Sequence, residues 1–193
     1  MQNALRRPLS PNLAELEPFV RRGKDRTFDN LGFSGGGWNG AGDDYETTGL
    51  LIACGGSSEW VGNSCVYTLP SKGPSLERIL SASALAALIR RTADAWEPEW
   101  GVAISEQHRD VLKPRRPKGT PYVGWVTYLA QHRGTLPPLP SPVRIEPVAD
   151  KGTLIILTPE RFTVSNPEHV ALAERVRELL DRAGLLKPLH AQP

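Results

Sequence analysis

The strand-like segments of this chain come in clusters rather than in alternation with helices. That ordering limits the possible folds more than any other feature. Residues 31–38, 49–55 and 63–70 each have strand length and apolar or β-branched character. Only short turns separate them, so an antiparallel meander is the simple reading. Residues 100–104 and 122–129 read as two further strands after a helical stretch. Residues 143–148 and 153–157 flank Ala149-Asp150-Lys151-Gly152, a hairpin signature. No regular strand–helix–strand repeat is present, so the expected class is α+β: a mixed, mainly antiparallel sheet with helices packed on it.

Helix signals sit between these clusters. Ser10 before Pro11 predicts a helix start, with Pro18 limiting that helix to two turns or kinking it. A short helix is expected over 74–80. Ser81 or Ser83 caps a longer one ending at Trp96, in which Leu85, Leu88, Ile89, Thr92 and Trp96 share a face. Ser105 caps a brief helix through Leu112, and residues 113–119 are a loop. The clearest helix opens at Ser165 or Asn166 with Pro167 and Glu168, buries a stripe of Val170, Ala173, Val176, Leu180 and Ala183, and stops at Gly184. Residues 1–9 are expected to be a disordered arm, 10–187 a single domain and 188–193 a tail.

Hydrophobic residues make up 39% of the 193 and charged residues 23%, the balance of a globular chain able to build a core without staples. No stretch is long and apolar enough to span a membrane, and residues 1–8 lack the apolar region of a secretory signal. Cys54 and Cys65 are too few for a disulfide framework and sit in apolar runs, where a thiol acts as a small buried hydrophobe. These features fit the cytoplasm. With 23 basic and 21 acidic residues, a formal charge of +2, the chain has neither the basic bias of a dedicated nucleic-acid binder nor the acidity of a nucleic-acid mimic.

No motif points firmly to catalysis. Gly35-Gly36-Gly37-Trp38-Asn39-Gly40 matches a dinucleotide-loop pattern, but no helix follows to receive a phosphate, so a bent strand or bulge is expected. His108, His132, His169 and His190 lack metal-ligand spacing, and no metal or other cofactor is expected. His108, Cys54 and Ser64 are the weak candidates for a hydrolase or transferase site assembled in space. Arg115 and Arg116, in the basic 113–118 loop, are the candidates for nucleic-acid contact. Asp43, Asp44, Tyr45 and Glu46 form an acidic turn with one aromatic. A solvated hairpin turn accounts for it, and so does a contact patch for a basic partner, since tyrosine brings large area at low entropic cost. Of five tryptophans, Trp38, Trp96, Trp100 and Trp125 fall in expected elements and read as core. Trp60, in a loop, reads as a contact residue or as packed under a hairpin.

An ordered set of segments resembles the bacterial immunity proteins of family 52. They are Leu31-Gly32-Phe33-Ser34 with Trp38-Asn39-Gly40, then Asn63-Ser64-Cys65-Val66, then Ala95-Trp96-Glu97-Pro98-Glu99-Trp100-Gly101-Val102. Gly124-Trp125-Val126-Thr127-Tyr128-Leu129, Glu160-Arg161-Phe162 and Asn166-Pro167-Glu168-His169-Val170 complete the set, over about residues 10–187. The resemblance implies a protein that binds and silences a cognate polymorphic toxin, a nuclease of restriction-endonuclease type, and has no catalytic residues. It also implies an aromatic-rich strand and a helix ahead of the segment matching residue 10, for which residues 1–9 offer no sequence.

Overall fold

The computed structural model describes residues 8–58, 62–117 and 119–188. The chain forms two compact units, Met1–Arg78 and Ile79–Pro193. Among the described residues, five helices and two antiparallel sheets make it an α+β protein, with the strands divided between a sheet of three and a sheet of four.

The first unit opens with α1 (Leu13–Arg22). Its cap is Asn12, whose Oδ1 accepts from the Glu15 amide at 3.0 Å. The expected cap Ser10 lies a turn earlier and instead accepts from the Asn12 side chain. Pro18 sits inside the helix, which continues past it to Arg22. Three strands follow as the expected meander: β1 (Phe33–Trp38), β2 (Gly49–Cys54) and β3 (Ser64–Thr68), in that order in the sheet. The glycine run does not bulge. Gly35, Gly36 and Gly37 pair in unbroken register with Ile52, Leu51 and Leu50. Helix α2 (Gly73–Ile79) ends the unit.

Side chains directly opposite in an antiparallel sheet share a face. One face therefore carries Phe33, Gly35, Leu50, Ile52, Cys54, Cys65 and Tyr67. Helix α1 covers part of it: the Phe19 ring lies over Gly35, where an added Cβ would come within 3.0 Å of Phe19 Cε1. The other face carries Ser34, Gly36, Trp38, Leu51, Ala53, Ser64, Val66 and Thr68. Both cysteines are free and half-buried, a looser setting than the buried thiols expected from their apolar runs.

The second unit holds the core. Helix α3 (Ala82–Trp96) is capped by Ser81, whose Oγ accepts from the Ala84 amide. Then come β4 (Trp100–Ala103), α4 (Glu106–Leu112) capped by Ser105, β5 (Val126–Ala130), β6 (Arg144–Val148), β7 (Gly152–Ile156) and α5 (Pro167–Arg182) capped by Asn166. The sheet order is β4-β5-β7-β6, all antiparallel. The central strands β5 and β7 are buried on both faces, which is why Val126-Thr127-Tyr128-Leu129-Ala130 reads as a continuous run and not an alternation. Two aromatic polar groups inside are satisfied by backbone: Trp125 Nε1 donates to the Thr158 carbonyl at 2.8 Å, and the Tyr128 hydroxyl donates to the Lys151 carbonyl at 2.9 Å. Beyond α5, Leu185 and Leu186 are buried, and Gly184 takes the left-handed turn expected of it. The guanidinium of Arg133, 8% exposed, holds this end: it donates to the carbonyls of Leu185 and Lys187 and pairs with Glu99.

Two tryptophans expected in the core are not there. Trp38 is 50% exposed and Trp96 is 40% exposed, whereas Trp125 is buried. Trp38 ends a strand on an uncovered face, and Trp96 is the last residue of its helix.

Candidate functional site

The acidic turn joins β1 to β2 and is built rather than slack. Asp43 Oδ1 accepts from the Tyr45 amide at 2.9 Å and caps a 3-10 turn over Asp44–Glu46. Asn39, one residue past Trp38, donates from Nδ2 to the Glu46 carbonyl at 3.0 Å and closes the loop. The Tyr45 carbonyl accepts from the Ser71 amide at 2.9 Å, which ties the turn to the segment after β3.

The four residues of the turn then divide. Asp43, Asp44 and Tyr45 are exposed, and Glu46 is half-buried. The Glu46 carboxylate lies against Gly73, where any Cβ would collide with Oε1, and Gly73 has the positive φ of +83° that favours glycine. Lys72 Nζ stands 4.2 Å from the centre of the Tyr45 ring, a cation–π contact that orients the ring. Trp60 lies outside the described residues.

The same end of the sheet presents a feature the turn alone does not predict. Trp38, Leu51 and Val66 lie on the uncovered face, Leu51 and Val66 opposite one another across β2 and β3, at 50%, 57% and 49% exposure. Gly36, opposite Leu51 on the other edge strand, adds no side chain to the row. A period-two pattern that is apolar on both faces of an edge meander was the available signal. Periodicity cannot say which face is covered. Exposed aromatic side chains are enriched at protein-binding surfaces, whereas aspartate and glutamate are depleted there.

The other candidates are not gathered into a site. Cys54 and Ser64 point to opposite faces of the first sheet, since Ser64 is opposite Ala53, next to Cys54. His108 belongs to the second unit, is 1% exposed, and stacks on Phe162 with ring centres 4.6 Å apart. His169 stacks on the far side of the pair at 5.3 Å from Phe162. Burial pushes the His108 imidazole down to about 4, partly opposed by the Glu174 carboxylate, so the ring is neutral at pH 7. Arg116 is engaged within its own loop. It donates to the Thr120 carbonyl and hydroxyl and lies 3.8 Å from the centre of the Tyr122 ring. The side chain of Arg115 and all of Lys118 lie outside the described residues. Among the described residues, no group of three or more His, Cys, Asp or Glu is placed to hold a metal ion, and no helix is long and apolar enough to cross a membrane.

The first unit thus leaves an apolar row and an acidic turn open to solvent. The family follows from the chain as a whole: residues 1–189 match the family described as Immunity protein 52, and the chain belongs to that family of immunity proteins. The match is wider than the 10–187 segment over which the resemblance was legible, and it begins ahead of residue 10. No curated protein matches the chain.

Proposed function

We propose that this immunity protein binds and neutralises a cognate bacterial toxin, a nuclease of restriction-endonuclease type, in the cytoplasm. It does so by occupying a surface of the toxin, without catalysis, cofactor, membrane or direct contact with nucleic acid. The observation that carries the role is the family match over residues 1–189. The contact surface in this reading is the first unit's acidic turn, Asp43, Asp44, Tyr45 and Glu46, with Trp60 and the exposed row Trp38, Leu51 and Val66. A nucleic-acid-cleaving domain must be basic where its substrate binds, and exposed carboxylates complement such a surface. The apolar row supplies the desolvated centre that anchors stable complexes, which bury at least about 1,200 Å² in total.

The test is co-purification of the chain with the product of the toxin gene encoded beside it, followed by binding kinetics. Asp43→Lys with Asp44→Lys should slow association about tenfold or more at low salt and much less at high salt. Asp44→Lys alone separates charge from folding, because Asp43 also caps the turn. Unchanged association in both variants would remove the turn from the interface. A chain that neither co-purifies with nor protects against the toxin would remove the role.

A further inference from the structure

The second unit carries a groove of about 310 Å³ lined by α3 and the edge strand β6. Ser83, Ala86 and Ala87 form a floor of small side chains. Arg90, Arg91, Arg144 and Glu146 supply its charges. The sequence separates the two halves of this set by more than fifty residues, and the fold unites them. Spacings of three and four put the α3 residues on one helical face, and the alternation of β6 puts Arg144 and Glu146 on one side of the sheet.

The charges are organised. Glu146 Oε2 lies 2.7 Å from Arg90 Nη2, and its Oε1 lies 2.8 Å from Arg144 Nε, so one carboxylate orients two guanidiniums. Arg90 Nη1 also donates to the Pro147 carbonyl at 2.6 Å, which fixes it against the strand end. Arg91 is exposed and forms no ion pair among the described residues. Three guanidiniums against one carboxylate leave the groove with a surplus of two positive charges.

We propose that this groove binds an acidic polypeptide segment, taking its carboxylates on Arg91 and on the outward edges of Arg90 and Arg144. Guanidinium forks match carboxylates in pairs of hydrogen bonds, and Arg90 and Arg144 each already meet one oxygen of Glu146. A nucleic-acid backbone fits less well. It needs a basic track along its length, whereas this groove is short and holds a fixed negative charge at its centre. The site is independent of the toxin-binding reading above, and its charge is opposite in sign to the Asp43–Glu46 turn.

The experiment uses the full chain and fluorescein-labelled hexaglutamate, followed by fluorescence anisotropy. Saturable binding is expected, weakened about tenfold by Arg91→Ala. Arg182→Ala, an exposed arginine of α5 whose loss changes net charge equally, should alter it by less than about twofold. On the unmodified chain, the peptide should shift the backbone amide resonances of Ser83, Ala86, Ala87 and Arg91. Equal weakening by both variants, or amide shifts confined to other residues, would overturn the site. Tighter binding of a labelled oligothymidylate, lost with Arg91→Ala, would overturn the acidic-peptide assignment in favour of nucleic acid.

Discussion

The two sheets of this protein are built from similar residue types and reach opposite outcomes. Apart from Pro70, every buried apolar side chain among the described residues belongs to the second unit. Eight of the eleven exposed large apolar side chains belong to the first, from Leu9 to Tyr67. The second sheet has both faces of its central strands covered. The first has one face half-covered by α1 and the other open. Burial of apolar area is the main source of folding free energy, so stability should be concentrated in the second unit. The first unit's side chains are correspondingly free to serve recognition, because changing them removes little buried area.

The largest expected effect lies in the second unit. Leu180→Ala empties a fully buried site on α5 and should cost about 2–5 kcal/mol in urea unfolding. Acid comes next. His108 binds its proton near its ordinary value of 6.5 when unfolded and only at about 4 when folded, so the unfolded state gains protons first. Stability should therefore be unaffected above about pH 6.5 and fall progressively between there and pH 4, by about 3 kcal/mol in all. The unfolding free energy of His108→Leu, followed across that window, should lose most of this slope. An identical slope would place the acid sensitivity elsewhere. Trp38→Ala should weaken toxin binding about thirtyfold while barely shifting the unfolding midpoint. The smallest effect is Leu51→Ala, within about 0.5 kcal/mol in unfolding. Should Leu51→Ala instead cost as much as Leu180→Ala, the contrast between the two sheets would fail.

The elements themselves were largely legible. Asn166, Pro167 and Glu168 mark the start of α5 through capping chemistry that is local in sequence, and Ser81 and Ser105 mark α3 and α4 in the same way. The hairpin at 149–152 and the three-stranded meander follow from turn residues and strand length. Burial was less legible, because it depends on what covers a face. The stripe ending at Trp96 has the right period, yet the buried residues of α3 are Ala82, Leu85, Ala86 and Ala93, and Trp96 protrudes where the helix stops. At the start of α1 the cap is Asn12 and not Ser10 because the helix begins at Leu13, which puts Asn12 three residues before the Glu15 amide. The acidic turn was visible as composition. The apolar row beside it depends on strand register, and the arginine groove on a helix meeting a distant strand, neither of which a linear pattern encodes.

The grip of Arg133 on the carbonyls of Leu185 and Lys187 makes the last turn of the chain part of the body. A fusion partner attached after residue 188 would hang from a clamped anchor, whereas trimming back to residue 184 would remove both acceptors and two buried leucines together. The sheltered cation would then be left with Glu99 as its remaining counter-charge, and damage at residues 185–187 would be felt at the opening of β4.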